Sequence, residues 1–203
     1  MTTLSELLDS STSTFEQVRT LLDGLDHAGR MSALSATNRA QQRRLYQLAE
    51  RKVSLTLEDL VPSSRGAVTE VKHHGRNTLP LPRAFRFFQK PMCRPKDGSA
   101  RLFGFNEGAS RPIVGPGYFV AYRCTDKPEW AARGDVVVDY FQVPDVEVVP
   151  GWPTVVPNSK GLQMFVFKGT RDFLRGVSQH VTIGTAYKGE KALDHYFTLC
   201  RED

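Results

Sequence analysis

Three side chains in this sequence are candidates for acid–base catalysis: Glu107, Asp139 and His180. Carboxylates and imidazoles can exchange protons with a bound molecule when their surroundings adjust their pKa. Asp139 lies in the apolar run 136–141, where a carboxylate needs a polar partner, water or a ligand. The sequence names no reaction, so it leaves open whether the protein is an enzyme.

A second set of side chains could hold a ligand because they carry positive charge or donate hydrogen bonds. Asn106 and Arg111 flank Glu107 in the polar loop 105–112, and Lys90 lies in an apolar segment where it needs a partner or a cavity. The predicted ligand-binding residues are His74, Arg76, Lys90, Asn106, Arg111 and Tyr118. Together these groups suit a small polar or anionic molecule.

No cofactor can be named from motifs. The chain has no Rossmann fingerprint, Walker loop, haem-attachment CxxCH or iron–sulfur spacing, and its five histidines form neither HExxH nor HxH. We therefore predict no metal site. Flavin, non-haem metal and cofactor-free chemistry all stay open, and the cofactor is unknown.

The cysteines and the N-terminus indicate a cytoplasmic protein without a membrane partner. Cys93, Cys124 and Cys200 are odd in number and lack CxxC spacing, which favours reduced thiols. The first residues are polar, without the features of a secretory signal, and no run of 18 apolar residues exists. Cys93 is flanked by Lys90 and Arg94, cations that would lower the pKa of its thiol if they lay close to it.

Positive charge is concentrated in one segment. The chain has a net charge of +5, and residues 62–101 hold nine basic and two acidic side chains. Phenylalanines alternate with these cations at Phe85, Phe87 and Phe88, a composition that can bind single-stranded nucleic acid. A nucleic-acid or acidic-partner binding module is therefore an alternative function. It requires the basic side chains to form one exposed face rather than to pair with acids.

Residues 1–61 are predicted to form a helical N-terminal arm. A helix capped by Ser13 or Thr14 places Phe15 and Val18 on one apolar face. A further helix is predicted over residues 35–51, with few apolar side chains. Such a helix could lie on a surface or pair with another chain. A second alternative is therefore an assembly or interaction protein, a homo-oligomer formed through the N-terminal helices.

Residues 62–203 are predicted to form one α+β domain. Period-two patterns indicate strands at 67–72, 84–92, 101–105, 118–124, 135–143, 181–187 and 195–200, and a helical period indicates one long helix over 160–179. The predicted fold is a curved antiparallel sheet or half-barrel of about seven strands around that helix. A small-molecule-binding or catalytic pocket between sheet and helix is the leading interpretation.

Overall fold

The protein is an α+β fold in which helices cover a curled antiparallel sheet. The structure, a computed structural model, describes residues 2–80 and 82–203. Within those ranges the eight α-helices are α1 (Leu4–Asp9), α2 (Phe15–Asp23), α3 (His27–Ser35), α4 (Arg39–Leu48), α5 (Leu57–Leu60), α6 (Arg111–Val114), α7 (Pro128–Ala131) and α8 (Gln163–Val166). None of these helices has the length and apolar character needed to cross a membrane.

Short side chains at the N-caps define where the N-terminal helices begin. Thr14, rather than Ser13, caps α2 in a reciprocal capping box with Gln17, and Asn38 does the same for α4 with Gln41. The helix predicted over 35–51 is therefore shorter. The structure adds α3 before it, where Asp26 accepts a hydrogen bond from the Gly29 amide at 2.7 Å. The cap offsets the low helix propensity of Gly29.

The N-terminal helices pack on the sheet of their own chain. Leu45 of α4 is fully buried in a cluster that also contains Val181 and Cys200 from the sheet. The polar side chain of Gln42 is buried as well and donates a hydrogen bond to the Thr37 hydroxyl at 3.0 Å. The face of α4 that suggested pairing with another chain is thus covered internally. The division at residue 61 and the oligomeric state stay predictions.

Ten strands form one antiparallel sheet in the described chain. They are β1 (His73–Asn77), β2 (Phe87–Gln89), β3 (Met92–Cys93), β4 (Leu102–Gly104), β5 (Glu107–Gly108), β6 (Phe119–Arg123), β7 (Val136–Asp139), β8 (Thr170–Gly176), β9 (Val181–Lys188) and β10 (Lys191–Arg201). Their order is β3-β4-β6-β7-β8-β9-β10-β1-β2-β5. This half-barrel confirms the predicted curved antiparallel sheet, but with more strands than the seven expected.

The curl brings opposite ends of the sheet together at Lys90 and Pro91, the two residues between β2 and β3. The Lys90 amide donates to the His73 carbonyl at 2.9 Å, and Val71 and Met92 exchange hydrogen bonds of 2.8 and 2.9 Å. One bent segment therefore pairs with strands at both ends of the sheet. The inner side holds the main apolar core, to which α5 contributes.

The long helix predicted over 160–179 is not confirmed. Only the single turn α8 is helical, Gly169 follows at a φ of 77°, and β8 begins at Thr170. In β8, Leu174 faces the inner core and Phe173 faces an outer cluster beside Trp130. A strand that is buried on both faces does not alternate between apolar and polar residues. The apolar residues of this segment therefore fitted a helical spacing by coincidence. The segment 67–72 likewise forms only isolated bridges at Ala67 and Val71.

Candidate functional site

Four polar side chains meet inside the curled sheet: Lys90, Asn106, Tyr140 and Asp172. Lys90 points inward because Phe88 and Met92, two residues away on either side, belong to or pack against the inner core. Asp172 points inward by the same alternation, two residues before Leu174 on β8. The sheet register thus places an amine and a carboxylate in one apolar interior.

The hydrogen bonds of this cluster centre on the Lys90 amine. Lys90 Nζ donates to Asn106 Oδ1 at 2.9 Å, to Asp172 Oδ2 at 3.2 Å and to the Tyr140 hydroxyl oxygen. Tyr140 donates in turn to Asp172 Oδ2 at 3.1 Å. Asn106 is oriented by a bond from its Nδ2 to the Gly117 carbonyl at 2.9 Å. An ammonium has three donors, and the three oxygens satisfy all of them.

Aromatic rings enclose the same amine. The side chain of Lys90 is 2% exposed. Its Nζ lies 5.6 Å from the centroid of Phe88, 5.0 Å from Phe119, 5.0 Å from Tyr140 and 5.4 Å from Phe197. Ring faces attract a cation, but they do not replace the hydration that a charged amine loses on burial.

Burial changes the proton affinities of all three ionisable members. Desolvation lowers the pKa of Lys90 against the opposing effect of Asp172, and it raises the pKa of Asp172 against the opposing effect of Lys90. Desolvation also raises the pKa of Tyr140. Both shifts in the Lys90–Asp172 pair favour the neutral amine and the neutral acid. The shifts bring the pKa of the amine and the pKa of the acid closer to each other.

On the outer side of the sheet lies a pocket with a volume of about 390 Å³, which we call the Trp152 pocket. The polar side chains and the tryptophan that line it are Glu70, Lys72, Gln89, Glu107, Arg111 and Trp152. Gln89 and Glu107 line the pocket, and their chain neighbours Lys90 and Asn106 belong to the inner cluster. The two sites thus lie on opposite sides of the same strands.

The charges in the Trp152 pocket are paired with each other. Arg111 Nε lies 2.7 Å from the carboxylate of Glu107, and Lys72 Nζ lies 3.7 Å from that of Glu70. Glu70 also accepts a hydrogen bond from the Trp152 indole at 2.6 Å. A molecule in the pocket would meet both acidic and basic groups beside an aromatic side chain.

Packing behind the pocket positions Trp152. Its ring lies 5.1 Å from that of Phe105, edge to face, and 6.4 Å from that of Tyr118. The hydroxyl of the buried Tyr118 donates to the Pro153 carbonyl at 2.5 Å. Tyr118, predicted to bind ligand, therefore supports the wall of the pocket from behind.

A smaller pocket of about 230 Å³ lies on the other side of Gln89 and Glu107 and includes His74. His74 Nε2 lies 2.7 Å from Glu202, and its ring meets the ring of His27 at a centroid distance of 5.3 Å. The remaining lining is largely apolar, from Met31, Phe87 and Phe88.

The predicted catalytic residues do not share a site. Asp139 lies 3.3 Å from Arg171 Nε and accepts bonds from the Tyr122 hydroxyl at 2.8 Å and the Phe141 amide at 3.0 Å. These contacts are the polar partners that a carboxylate in the apolar run 136–141 needs.

His180, in the β8–β9 turn, lies 3.2 Å from Asp203, and burial lowers its pKa. Glu107 instead contacts Arg111. Within the described contacts, each candidate acid or base thus has its own partner.

Of the predicted ligand-binding residues, the structure joins Lys90 with Asn106 in the inner cluster. It places Arg111 in the Trp152 pocket and His74 in the smaller one. Arg76 instead donates to the Ser35 carbonyl at 2.9 Å and the Asn77 carbonyl at 2.6 Å.

Sequence reasoning missed Tyr140 and Asp172 of the inner cluster, and it missed Glu70, Lys72, Gln89 and Trp152 of the Trp152 pocket. Asp172 stands between Arg171 and the apolar pair Phe173 and Leu174, and the helical interpretation of residues 160–179 hid that a strand turns it into the core. Tyr140 directly follows Asp139 in one apolar run. Trp152 lies in a proline-rich passage where no pattern marks it.

The basic segment 62–101 does not present its charges as one free face. Five of its nine cations form ion pairs with carboxylates: Lys72 with Glu70, Lys90 with Asp172, Arg94 with Glu58, Lys96 with Glu147, and Arg101 with Asp97 and Asp145. Arg65 and Arg76 donate to backbone carbonyls. Acids from other segments therefore compensate much of the local excess.

Cys93 does not have the activated thiol that its cationic neighbours suggested. Its side chain is buried, and burial raises its pKa to about 12. Lys90 makes its contacts with Asp172, Tyr140 and Asn106, and Arg94 with Glu58 and the Val61 carbonyl.

No family model, curated protein or solved structure matches the chain. The chemistry of the two sites is therefore the basis for a functional proposal.

Proposed function

We propose that the protein binds a small polar molecule bearing at least one anionic group in the Trp152 pocket. The observation that carries this proposal is the convergence of two acids and two bases beside an aromatic wall in a pocket of about 390 Å³. Ligand sites typically have volumes of about 300–1,000 Å³ and combine an apolar surface with a few polar groups. The predicted pocket between sheet and long helix is replaced by this one, because that helix does not form.

The charged groups of the pocket can be reached from solvent. The side chains of Arg111 and Glu107 are 37% and 34% exposed. An anionic group of the ligand would compete with Glu107 for the guanidinium of Arg111, which can donate two parallel hydrogen bonds. The displaced carboxylate is then available to a donor on the same ligand. This exchange favours a molecule that carries both acceptors and donors.

Tryptophan fluorescence gives a direct binding assay because the chain has two tryptophans. A Trp130→Phe variant leaves Trp152 as the only indole reporter. We expect at least one member of a library of polar metabolites to change its emission and to raise the melting temperature by mass action.

Arg111→Gln should weaken binding by about tenfold or more, as expected for loss of a charged hydrogen bond. Arg19→Gln is the matched control, since Arg19 is also an exposed partner in an i,i+4 ion pair, with Asp23. Equal affinity of Arg111→Gln and Arg19→Gln for every ligand found would contradict the proposal.

Nucleic-acid binding is a second candidate function, and a smaller group of basic residues than the whole segment 62–101 would carry it. The pKa of Arg76 is lowered by burial and then by the nearby charges of Arg86 and Arg83, so three cations are close to one another. Phe85, beside them in sequence, is 39% exposed. Binding through this group would weaken steeply with salt. Unchanged fluorescence polarisation of a labelled oligonucleotide at low salt would exclude it.

The three buried free cysteines support a reducing compartment, and we propose a cytoplasmic location on that basis.

A further inference from the structure

We infer that Lys90 is a second, separate site: a reactive amine inside the sheet that takes a small aromatic or apolar aldehyde or ketone and forms an imine. This inference concerns the inner side of the sheet and does not depend on a ligand in the Trp152 pocket. It rests on the groups around the amine, on the apolar walls and on the segment that covers them.

The amine has the neighbours that imine formation needs. Tyr140 and Asp172 both contact Nζ, and they are hydrogen-bonded to each other at 3.1 Å. A lysine is a nucleophile only when neutral, and desolvation in this apolar site favours the neutral amine. The titratable groups facing Lys90 in the described contacts are these two, so proton exchange is confined to them.

The reaction balances without an oxidant or reductant. The nitrogen lone pair of neutral Lys90 attacks the carbonyl carbon, a C–N bond forms, and the carbonyl electron pair moves to oxygen. That oxygen takes a proton from the phenol of Tyr140 or the protonated carboxyl of Asp172, while nitrogen returns a proton to the same pair. A second proton from the same pair releases the oxygen as water while the nitrogen lone pair forms the C=N bond. The remaining N–H proton then returns to that pair, which leaves a neutral imine.

Aromatic walls determine the class of substrate. Phe88, Phe119, Tyr140 and Phe197 surround the amine at the distances given above, and no cation other than Lys90 belongs to the described inner cluster. A carbonyl compound with an aromatic or short apolar substituent would replace ring–ring contacts with similar ones. A polyanionic substrate would lose its hydration without a compensating charge.

The cover over this cluster is a short segment between two glycines. Phe167 stacks on Tyr140 at a centroid distance of 5.2 Å and an interplanar angle of 22°. Gly161 and Gly169 bracket the segment at φ values of 61° and 77°. A Cβ at Gly161 would meet no atom within 4 Å, so this side of the residue faces open space.

Hydrogen bonds at both ends hold the cover in place. The buried Gln163 accepts a bond from the Gly117 amide at 3.2 Å and donates to the Pro157 carbonyl at 2.9 Å. Thr170 donates to the Phe167 carbonyl from its amide at 3.1 Å and from its hydroxyl at 2.7 Å. The outer face of α8 is apolar yet exposed, with Phe165 at 70% and Val166 at 50%. Access to Tyr140 and Lys90 requires Phe167 to leave its stack, and loss of the Gln163 bonds would make that movement easier.

Reductive trapping tests the inference on the whole chain. The protein is incubated with benzaldehyde and cyanoborohydride at neutral pH, and modified lysines are located by peptide mass spectrometry. We expect Lys90 to be trapped faster than the exposed Lys96 at neutral pH, because a lowered pKa leaves more of the Lys90 amine neutral.

Two variants separate a reactive amine from a buried structural one. Gln163→Ala should raise the Lys90 rate by loosening the cover, and Tyr140→Phe should lower it while circular dichroism shows an intact fold. Arg19→Gln, in an exposed ion pair that belongs to neither site, should leave the rate unchanged. The trapping reaction needs no ligand in the Trp152 pocket, so failure of that proposal would not affect this result. Trapping of Lys90 more slowly than Lys96 in both wild type and Gln163→Ala would overturn the inference.

Discussion

Two acid–base pairs of this protein have similar geometry but very different surroundings. Lys90 and Asp172 lie 3.2 Å apart with side chains 2% and 10% exposed. Arg111 and Glu107 lie 2.7 Å apart with side chains 37% and 34% exposed. Water screens the outer pair, whereas the inner pair has lost its hydration. The distance between the two groups of a pair therefore does not set the contribution of the pair to the free energy of unfolding. Burial sets it.

The largest effect expected from this comparison is in the inner pair. Lys90→Met leaves the buried polar groups of Asp172, Tyr140 and Asn106 without the amine that they share. At about 1–3 kcal/mol for each group left without a partner, this should lower the free energy of unfolding by about 3–5 kcal/mol. Urea denaturation followed by circular dichroism measures it. The double variant Lys90→Met/Asp172→Leu removes both ionisable groups and should recover much of the loss. A double variant less stable than Lys90→Met would contradict the dominance of desolvation.

The adjacent histidines His73 and His74 allow the same comparison of a buried and a more exposed group, here through the dependence of stability on pH. His73 is 1% exposed, and desolvation lowers its pKa from 6.5 to about 4, whereas His74 is half-buried beside Glu202. Because the folded state resists protonation of His73, stability should be full above pH 6.5 and fall as the pH drops toward 4. The loss at low pH corresponds to about 3 kcal/mol.

Unfolding of wild type and His73→Gln across this pH range tests the assignment. The variant loses the part of the acid sensitivity that His73 causes, and His74→Gln is the matched control that keeps it. An equal loss of stability at low pH in wild type and His73→Gln would show that another group causes the loss.

The smallest effect is expected in the outer pair. Glu107→Gln removes the charge opposite Arg111 in a solvated site, so the free energy of unfolding should change by less than about 1 kcal/mol. The same urea titration measures it, and added salt should reduce the difference further. A loss as large as that of Lys90→Met would show that the pocket, too, depends on a desolvated ion pair.

Local patterns predicted the N-terminal helices better than they predicted the centre of the chain. Thr14 marks a helix start by chemistry that acts within three residues, so the sequence shows it directly. The cap at Asn38 was not predicted, and the helix that follows it was placed from residue 35. His73 and His74 are adjacent on β1 and point to opposite faces, and only the first is buried. The segment 160–179 failed because Phe173 and Leu174 are both buried, one on each side of a strand.

Some residues of the candidate sites could be predicted from the sequence, and others depended on long-range contacts. Lys90, Asn106, Glu107 and Arg111 stand out as polar residues in or beside apolar segments, and the structure groups them in two adjoining sites. Asp172 escaped because its role depends on the strand that carries it. The partners of the basic segment were not predicted either, since Glu58 lies 36 residues from Arg94 and Glu147 lies 51 residues from Lys96.

The sequence by itself determined the α+β class, the capped helices and the list of polar residues that need a partner, because those depend on local spacing and composition. Tertiary structure alone decided which partner each residue meets. Lys90 finds Asp172 across 82 residues only because the sheet curls and its register points both side chains inward. The same curl turned a sequence segment rich in cations into a set of paired and buried charges, since long-range pairing brings acids to it from elsewhere in the chain.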